Sequence, residues 1–383
     1  MKKKKISKQV IILGLVSFFT DFSSEMLYPI TPIFLTSILG ASMSIVGIIE
    51  GIAEVTAGFF KGYFGFLSDK LDKRKIFVVS GYGVSGLVKS LPGIFANIPI
   101  VIISRVIDRI GKGVRTAPRD ALLSSYAKEN SGAVFGFHRS MDTFGAVAGP
   151  LIAILLLSYF SFSYSQIYLF AFIPSAIAII FTLVVKEVKV ESNQSGKNFY
   201  SAFWKSSPKE YKYFLVLVTL FSLSNSSDVF LILKSKEITN SDSTSLVGYV
   251  FYNLVYAISS YPVGIISDKI GKKKMFIVGL IIYSIVYFAF AFNSSFILLW
   301  FLFAMYGVYA SATEGVSKAL VSDIVKKEYK GTAIGLLTMS SSFAIMIGSF
   351  MAGILWDNFG SQIPFLLSSV ISLIAAILLI RFK

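Results

Sequence analysis

The sequence has no cysteine and one histidine in 383 residues. No disulfide or thiolate chemistry is available to it. His138 alone cannot assemble a transition-metal site, which takes several nitrogen or sulfur ligands. There is no G-x-x-x-x-G-K-[ST] loop to cradle a nucleotide and no G-x-S-x-G nucleophile elbow. No catalytic residue, metal or cofactor is therefore predicted. Charge is also scarce: 15% of residues are charged, against about 25% in soluble domains.

What replaces charge is apolar sequence in long runs, such as "IYLFAFIPSAIAIIFTLVV" and "IPFLLSSVISLIAAILLI". With its flanks, each reaches the ~20 residues that cross ~30 Å of hydrocarbon as a helix. Strands of a membrane barrel would instead alternate apolar and polar residues. Only helices and closed barrels satisfy their backbone in lipid. The chain is therefore an all-α polytopic membrane protein. Twelve spans are predicted, at 10–37, 44–66, 75–95, 97–116, 132–159, 165–186, 211–233, 244–266, 274–293, 295–317, 331–356 and 361–381. The first is too long and too acidic for a cleaved signal peptide.

The net charge of +15 does not point to nucleic acid, because it is sorted by side. Lys2 to Lys5, Lys8, Lys70, Lys73 to Lys75, Arg119, Lys128, Lys186, Lys189, Lys197, Lys205 and Lys209 fall on one side of the twelve spans. So do Lys269, Lys272 to Lys274, Lys326, Lys327, Lys330, Arg381 and Lys383, leaving chiefly Lys234 and Lys236 opposite. Positive charge stays inside. Both termini are thus expected in the cytoplasm, with the chain a multi-pass protein of the cell membrane.

"GFLSDKLDKRK" at Gly65 returns as "GIISDKIGKKK" at Gly264, an offset of 268 − 69 = 199 at the aspartate. The same offset pairs Glu129, Gly132 and Gly136 with Glu328, Gly331 and Gly335. A constant offset across separate motifs indicates two halves of one ancestry, 1–186 and 211–383, joined by a polar cytoplasmic linker at 187–210.

Two six-span halves, each with a G-x-x-x-D-K/R-x-G-x-K/R-K/R turn between its second and third spans, resemble the major facilitator superfamily. "GAVAGP" (Gly145, Gly149, Pro150) resembles the fifth-span motif of its proton-driven antiporters. The resemblance covers essentially the whole chain. One departure is Asp72, where the pattern and the second copy (Gly271) have glycine; Asp tolerates such a turn better than most residues. The resemblance implies two pseudo-symmetric six-helix bundles around a central cavity, transport by alternating access, and a monomer. It places Asp69 and Asp268 beside helices of the opposite half. There a carboxylate can cap a helix start and pair with a basic residue, so that Gly65, Asp69, Lys70, Lys73, Gly264, Asp268, Lys269 and Gly271 form two gating loops. It also places Asn225 and Asp228 of span seven on the cavity.

Ionisable groups within spans are functional candidates, since each costs about 3 kcal/mol to insert. Asp21, Glu25, Glu54, Arg105, Asp108, Arg109, Arg139 and Asp142 form the predicted coupling and substrate group. Like acids one turn apart repel, so one acid of each pair should meet a cation or keep a proton. Lys89, Lys112 and Arg115 read as snorkelling, Glu314 and Lys318 as a local i,i+4 bridge, and Gly145 and Gly149 as a close contact between halves. Phe251, Tyr252, Tyr256, Tyr306 and Tyr309 offer aromatic substrate packing. The reading is a proton-coupled transporter of a small organic solute, with export favoured. Import of a metabolite or siderophore-like organic anion on Arg105, Arg109 and Arg139 is the alternative. A membrane enzyme lacks its catalytic groups here, and a non-transporting receptor or scaffold gains nothing from buried charge.

The charge asymmetry makes the linker cytoplasmic. A cysteine introduced as Tyr200→Cys, in a chain with none of its own, should stay unlabelled by an impermeant thiol reagent in intact cells and react once the membrane is opened. Strong labelling of intact cells would invert the topology.

Overall fold

A computed structural model describes residues 6–28, 30–40, 43–127, 130–188, 199–225, 228–240 and 242–381. Lys2 to Lys5, Pro29, Lys128, Glu129, Lys189, Lys197, Ser226, Ser227 and Lys383 lie outside the described residues, as do the side chains of Glu50 and Glu54. Among the described residues the regular structure is helical. In chain order it runs α1 (Lys8–Leu27), α2 (Ile30–Ile33), α3 (Met43–Lys70), α4 (Lys75–Val88), α5 (Leu91–Ile94) and α6 (Ile98–Tyr126). Then come α7 (Ser131–Ser158), α8 (Tyr164–Phe170), α9 (Phe172–Val184), α10 (Phe199–Ser206), α11 (Lys209–Ser224) and α12 (Val229–Thr239). The last five are α13 (Asp242–Ile270), α14 (Lys272–Phe292), α15 (Phe296–Ile324), α16 (Lys330–Phe359) and α17 (Gln362–Arg381).

These helices account for twelve spans, several of them built from two pieces. Several helix starts carry the polar caps that free N–H groups require. Asn97 Oδ1 accepts from Ile100 N at 3.0 Å, and Ser163 with Gln166 forms a capping box. The third and seventh spans, expected to be continuous, are among those that are broken. The third stops at Val88 and restarts as α5, with Pro92 in its first turn. The seventh stops at Ser224 and restarts at Val229. The reason lies in "SNSSD", whose short polar side chains compete with the helix for backbone partners. By contrast Pro118, Pro150 and Pro262 sit inside α6, α7 and α13, which run on through them.

Packing divides the chain into two compact units. The first is Met1–Lys128 with Met141–Lys205 and Lys326–Met339; the second is Glu129–Ser140 with Ser206–Val325 and Ser340–Lys383. The opening turns of α7 thus pack with the second unit, and those of α16 with the first. Each unit turns large apolar side chains outward, for example Ile180 and Leu183 on α9, Ile285 and Phe288 on α14, and Val370 on α17. Contiguous surfaces of this kind do not face water in a soluble monomer; hydrocarbon is their solvent. Eight of the described helices or helix pairs are long and apolar enough to cross a membrane.

Inside the first unit α1 lies close against α7 and α9. Ser23 Oγ donates to Ala171 O at 2.7 Å. Gly149 has no room for a side chain: a Cβ would lie 2.6 Å from Phe22 O and 2.7 Å from Met26 N. Gly145 is equally tight against Phe18 O. The close approach of these glycines is therefore to α1 of their own half, which corrects the contact between halves expected from the sequence. Small residues allow such backbone proximity in lipid.

Gly149→Val should force α1 and α7 apart. An overpacking cost of about 1–3 kcal/mol should appear as a lower unfolding temperature of the purified protein in detergent. Gly83→Val, at a position with open space, should leave that temperature nearly unchanged.

Candidate functional site

Each of the two repeated loop motifs places its aspartate on the first turn of a helix from the other sequence half. Asp69, at the end of α3, accepts from Thr332 N at 2.6 Å and Thr332 Oγ1 at 3.0 Å. Asp268, near the end of α13, accepts from Gly132 N at 2.9 Å and Ala133 N at 2.8 Å. Both carboxylates meet free N–H groups at the positive end of a helix dipole. The approach is possible because the crossing is made by glycines. A Cβ on Gly65 would strike Gly331 O, and one on Gly264 would strike Gly132 O. All four positions obey the 199-residue offset. In the turns themselves Asp72 and Gly271 both have positive φ, 48° and 99°.

The cations that complete these loops are not the predicted ones. Lys70, Lys73 and Lys269 are exposed. In the first loop Arg74, only 1% exposed, donates to Asp69 Oδ1 at 2.9 Å, Ser125 Oγ at 3.0 Å and Lys327 O at 3.0 Å. In the second, Lys272 reaches Asp268 at 2.9 Å and Asp323 at 2.8 Å. Asp323 also accepts from Ser131 Oγ at 2.9 Å.

Within the membrane part of the first unit, Asp21 on α1 shares a side-chain hydrogen bond with Asp142 on α7. Ser17 Oγ donates to Asp142 as well. Two carboxyl groups this close in a low dielectric repel unless a proton lies between them, as in acid dyads that share one. Glu25, one turn from Asp21, feels the charges of Lys112, Arg109 and Arg105 on α6. Arg105 lies over the Tyr28 ring, 5.8 Å from its centre. Asp108 is paired with Lys89 at 3.6 Å and accepts from Ser85 Oγ, while Lys89 Nζ donates to Ser24 Oγ at 2.6 Å. Lys89 therefore does not snorkel: the break after Val88 holds it inside the unit. Arg115 does not either; it is buried over Tyr82, 4.4 Å from the ring centre.

In the second unit the break in the seventh span turns Asp228 toward α13 and α15. Its carboxylate accepts from Tyr306 OH at 2.7 Å and from Tyr252 OH. Asn225 closes α11 through its N–H to Phe221 O at 3.0 Å. Arg139 pairs with Glu314 at 2.6 Å and donates to Tyr256 OH. Glu314 thus takes a partner from α7, in place of the local bridge to Lys318 expected from their spacing. Tyr252, Tyr256, Tyr306 and Tyr309 are buried, and Phe251 packs on Trp300.

A family model described as Major Facilitator Superfamily matches residues 13–238 and 215–383. The chain belongs to this superfamily. As an MFS protein it works within the lipid bilayer on small-molecule substrates and is not an enzyme. It is 38% identical over 383 residues to an uncharacterized MFS-type transporter of Methanocaldococcus jannaschii, covering 98% of this chain and 95% of that one. Its fold matches the human organic anion transporter MFSD10 (TETRAN) with TM-score 0.80, at 14% identity, over 98% of this chain and 100% of that one. It matches the MFS transporter FucP in the outward conformation with TM-score 0.80, at 13% identity, over 97% and 98% of the two chains. At such identities the likeness is one of fold.

Of the predicted residues, the MFS fold brings Asp21 and Asp142 together and gathers Glu25 with Arg105 and Arg109. Asp108 it holds apart on Lys89, and Arg139 with Asp228 it gives to the second unit. Sequence reasoning missed Arg74, Lys89, Lys272, Glu314 and Asp323. Arg74 carried one usable signal, being the sole arginine in a turn of lysines: its planar fork can serve three acceptors at once.

Asp69→Asn removes a charge that faces both a helix start and Arg74. The maximal transport rate should fall about tenfold or more, as expected for a lost charge-assisted hydrogen bond, with the half-saturating solute concentration little changed. Weak binding with normal turnover at saturation would contradict a gating role.

Proposed function

We propose that this MFS protein is a proton-coupled secondary transporter that moves a small organic solute outward across the cell membrane. It acts as a monomer with both termini in the cytoplasm. The observation that carries the reading is the Asp21–Asp142 carboxyl pair, two acids side by side on α1 and α7 inside the membrane. Coupling needs a proton site whose occupancy can change as access alternates, and intramembrane acids of transporters serve as proton relays. Separating α1 from the first turns of α7's inner half exposes the two carboxyls to different surroundings, so the shared proton is released. Lys112 and Glu25 sit within electrostatic reach of Asp21 and set how readily that happens. The G-x-x-x-G-P segment of Gly145, Gly149 and Pro150 clamps α7 on α1 one turn beyond the pair, which ties the proton to the helix contact and supports export. Asp69, Arg74, Asp268 and Lys272 hold the helix starts in one arrangement of the cycle.

Asp21→Asn and Asp142→Asn should abolish solute accumulation driven by a pH gradient in proteoliposomes. Counterflow, which needs only solute-loaded exchange, should survive in both. Measured on equal amounts of folded protein, a loss of both activities in parallel would mean a purely structural pair. Accumulation at the parent level in both variants would exclude coupling here.

A further inference from the structure

We propose that the second unit contains an organic-cation site centred on Asp228, so that the transported solute is an amine or quaternary ammonium compound. This deepens the transporter reading above and rests on it. Charge balance is the starting point. Glu314 is paired with Arg139, Glu237 with Lys234, and Asp268 and Asp323 share Lys272. Asp228 has no basic side chain at ion-pair distance among the described residues. Its two carboxylate oxygens meet only neutral phenol hydroxyls, those of Tyr252 and Tyr306. A carboxylate in the membrane interior is costly without a counter-charge, and among the described residues the positive charge that acts on it, Arg139, is ion-paired with Glu314 instead.

The surroundings fit a cation with apolar groups. Tyr252 and Tyr306 meet at 5.1 Å between ring centres, and Tyr306 lies 5.2 Å from Tyr309 and 6.2 Å from Tyr287. Ring faces attract cations, and aromatic cages with a nearby anion recognise quaternary ammonium groups. Access comes from the helix break: Asp228 precedes α12, where it is partly exposed while both tyrosines are buried. An anionic solute is disfavoured here, because Arg139 is taken up by Glu314 and Tyr256. The hydroxyls hold the carboxyl group in place without giving it an ion-paired partner among the described residues, which is what a selective cation site requires.

The test uses the full chain purified in nanodiscs, titrated calorimetrically with benzyltrimethylammonium and with benzenesulfonate. The cation should bind at least about tenfold more tightly than the sulfonate. Asp228→Asn should weaken cation binding by about tenfold or more, and Asp228→Glu, which keeps the charge, should retain most of it. Acidification of the wild type should weaken cation binding, since a proton competes for the same carboxylate. Sulfonate binding as tight as the cation's, an unchanged Asp228→Asn, or pH-independent cation binding would each overturn the proposal. If Asp228→Asn does not fold, the charge preference and proton competition of the wild type decide. Cation binding and gradient-driven transport are measured separately. Cation binding without any gradient-driven transport would therefore count against the transporter reading alone, whereas transport of other solutes without cation binding would count against this site alone.

Discussion

Two carboxylates at two helix starts organise the molecule. Asp69 and Asp268 each accept from first-turn N–H groups of a helix that belongs to the other half of the sequence. Those N–H groups have no partner within their own helices, and the carboxylates have none within their own loops except a single cation each. Both needs are met only when α3 crosses α16 and α13 crosses α7 on bare glycine backbone. The glycines, the aspartates and the positive-φ turns at Asp72 and Gly271 therefore form one device in two copies. It explains why the opening turns of α7 and α16 pack away from the rest of their helices. A contact of a few charged hydrogen bonds on a glycine crossing can be made and broken without repacking a core, as a rocking transporter requires.

The buried charges are handled in three different ways. Most acids near the loops are answered by arginine or lysine, which satisfies them in any conformation that keeps the pair. Asp108 and Lys89 are answered inside one unit, and their ion pair stiffens it. Asp21 with Asp142, and Asp228, are held differently. The first two lie side by side on α1 and α7, and the third accepts from two tyrosine hydroxyls. Buried acids cost stability in a low dielectric, so they are retained where a mobile positive charge is a natural partner.

Breaks in the spans have a common outcome. At Val88–Leu91 and at Ser224–Val229 the helix ends inside the protein, and a charged side chain at the break is aimed inward. Lys89 reaches Ser24 and Asp108, and Asp228 reaches two tyrosines. Continuous helices would have rotated both side chains elsewhere. Irregular backbone is tolerated at this depth only where it is buried in protein or lines a polar cavity.

The membrane class, the spans, the repeat and the loop motif were all legible in the sequence, because each depends on local pattern: apolar run length, sided charge, a constant offset. The left-handed turn tolerated at Asp72 and the helix-capping aspartates were legible for the same reason. Partners were not. Lysine at 73 and arginine at 74 look equivalent in the chain, yet only Arg74 faces Asp69, since a turn rotates its neighbours by large angles. Lys89 read as snorkelling because hydropathy cannot see that α4 stops one residue before it. Glu314 and Lys318 had helical spacing, but a three-dimensional neighbour at 2.6 Å, Arg139, took the acid first. The meeting of Asp21 with Asp142, and of Asp228 with Tyr252 and Tyr306, was decided by which helix faces pack together, and that is set by long-range fit that no local window of sequence contains.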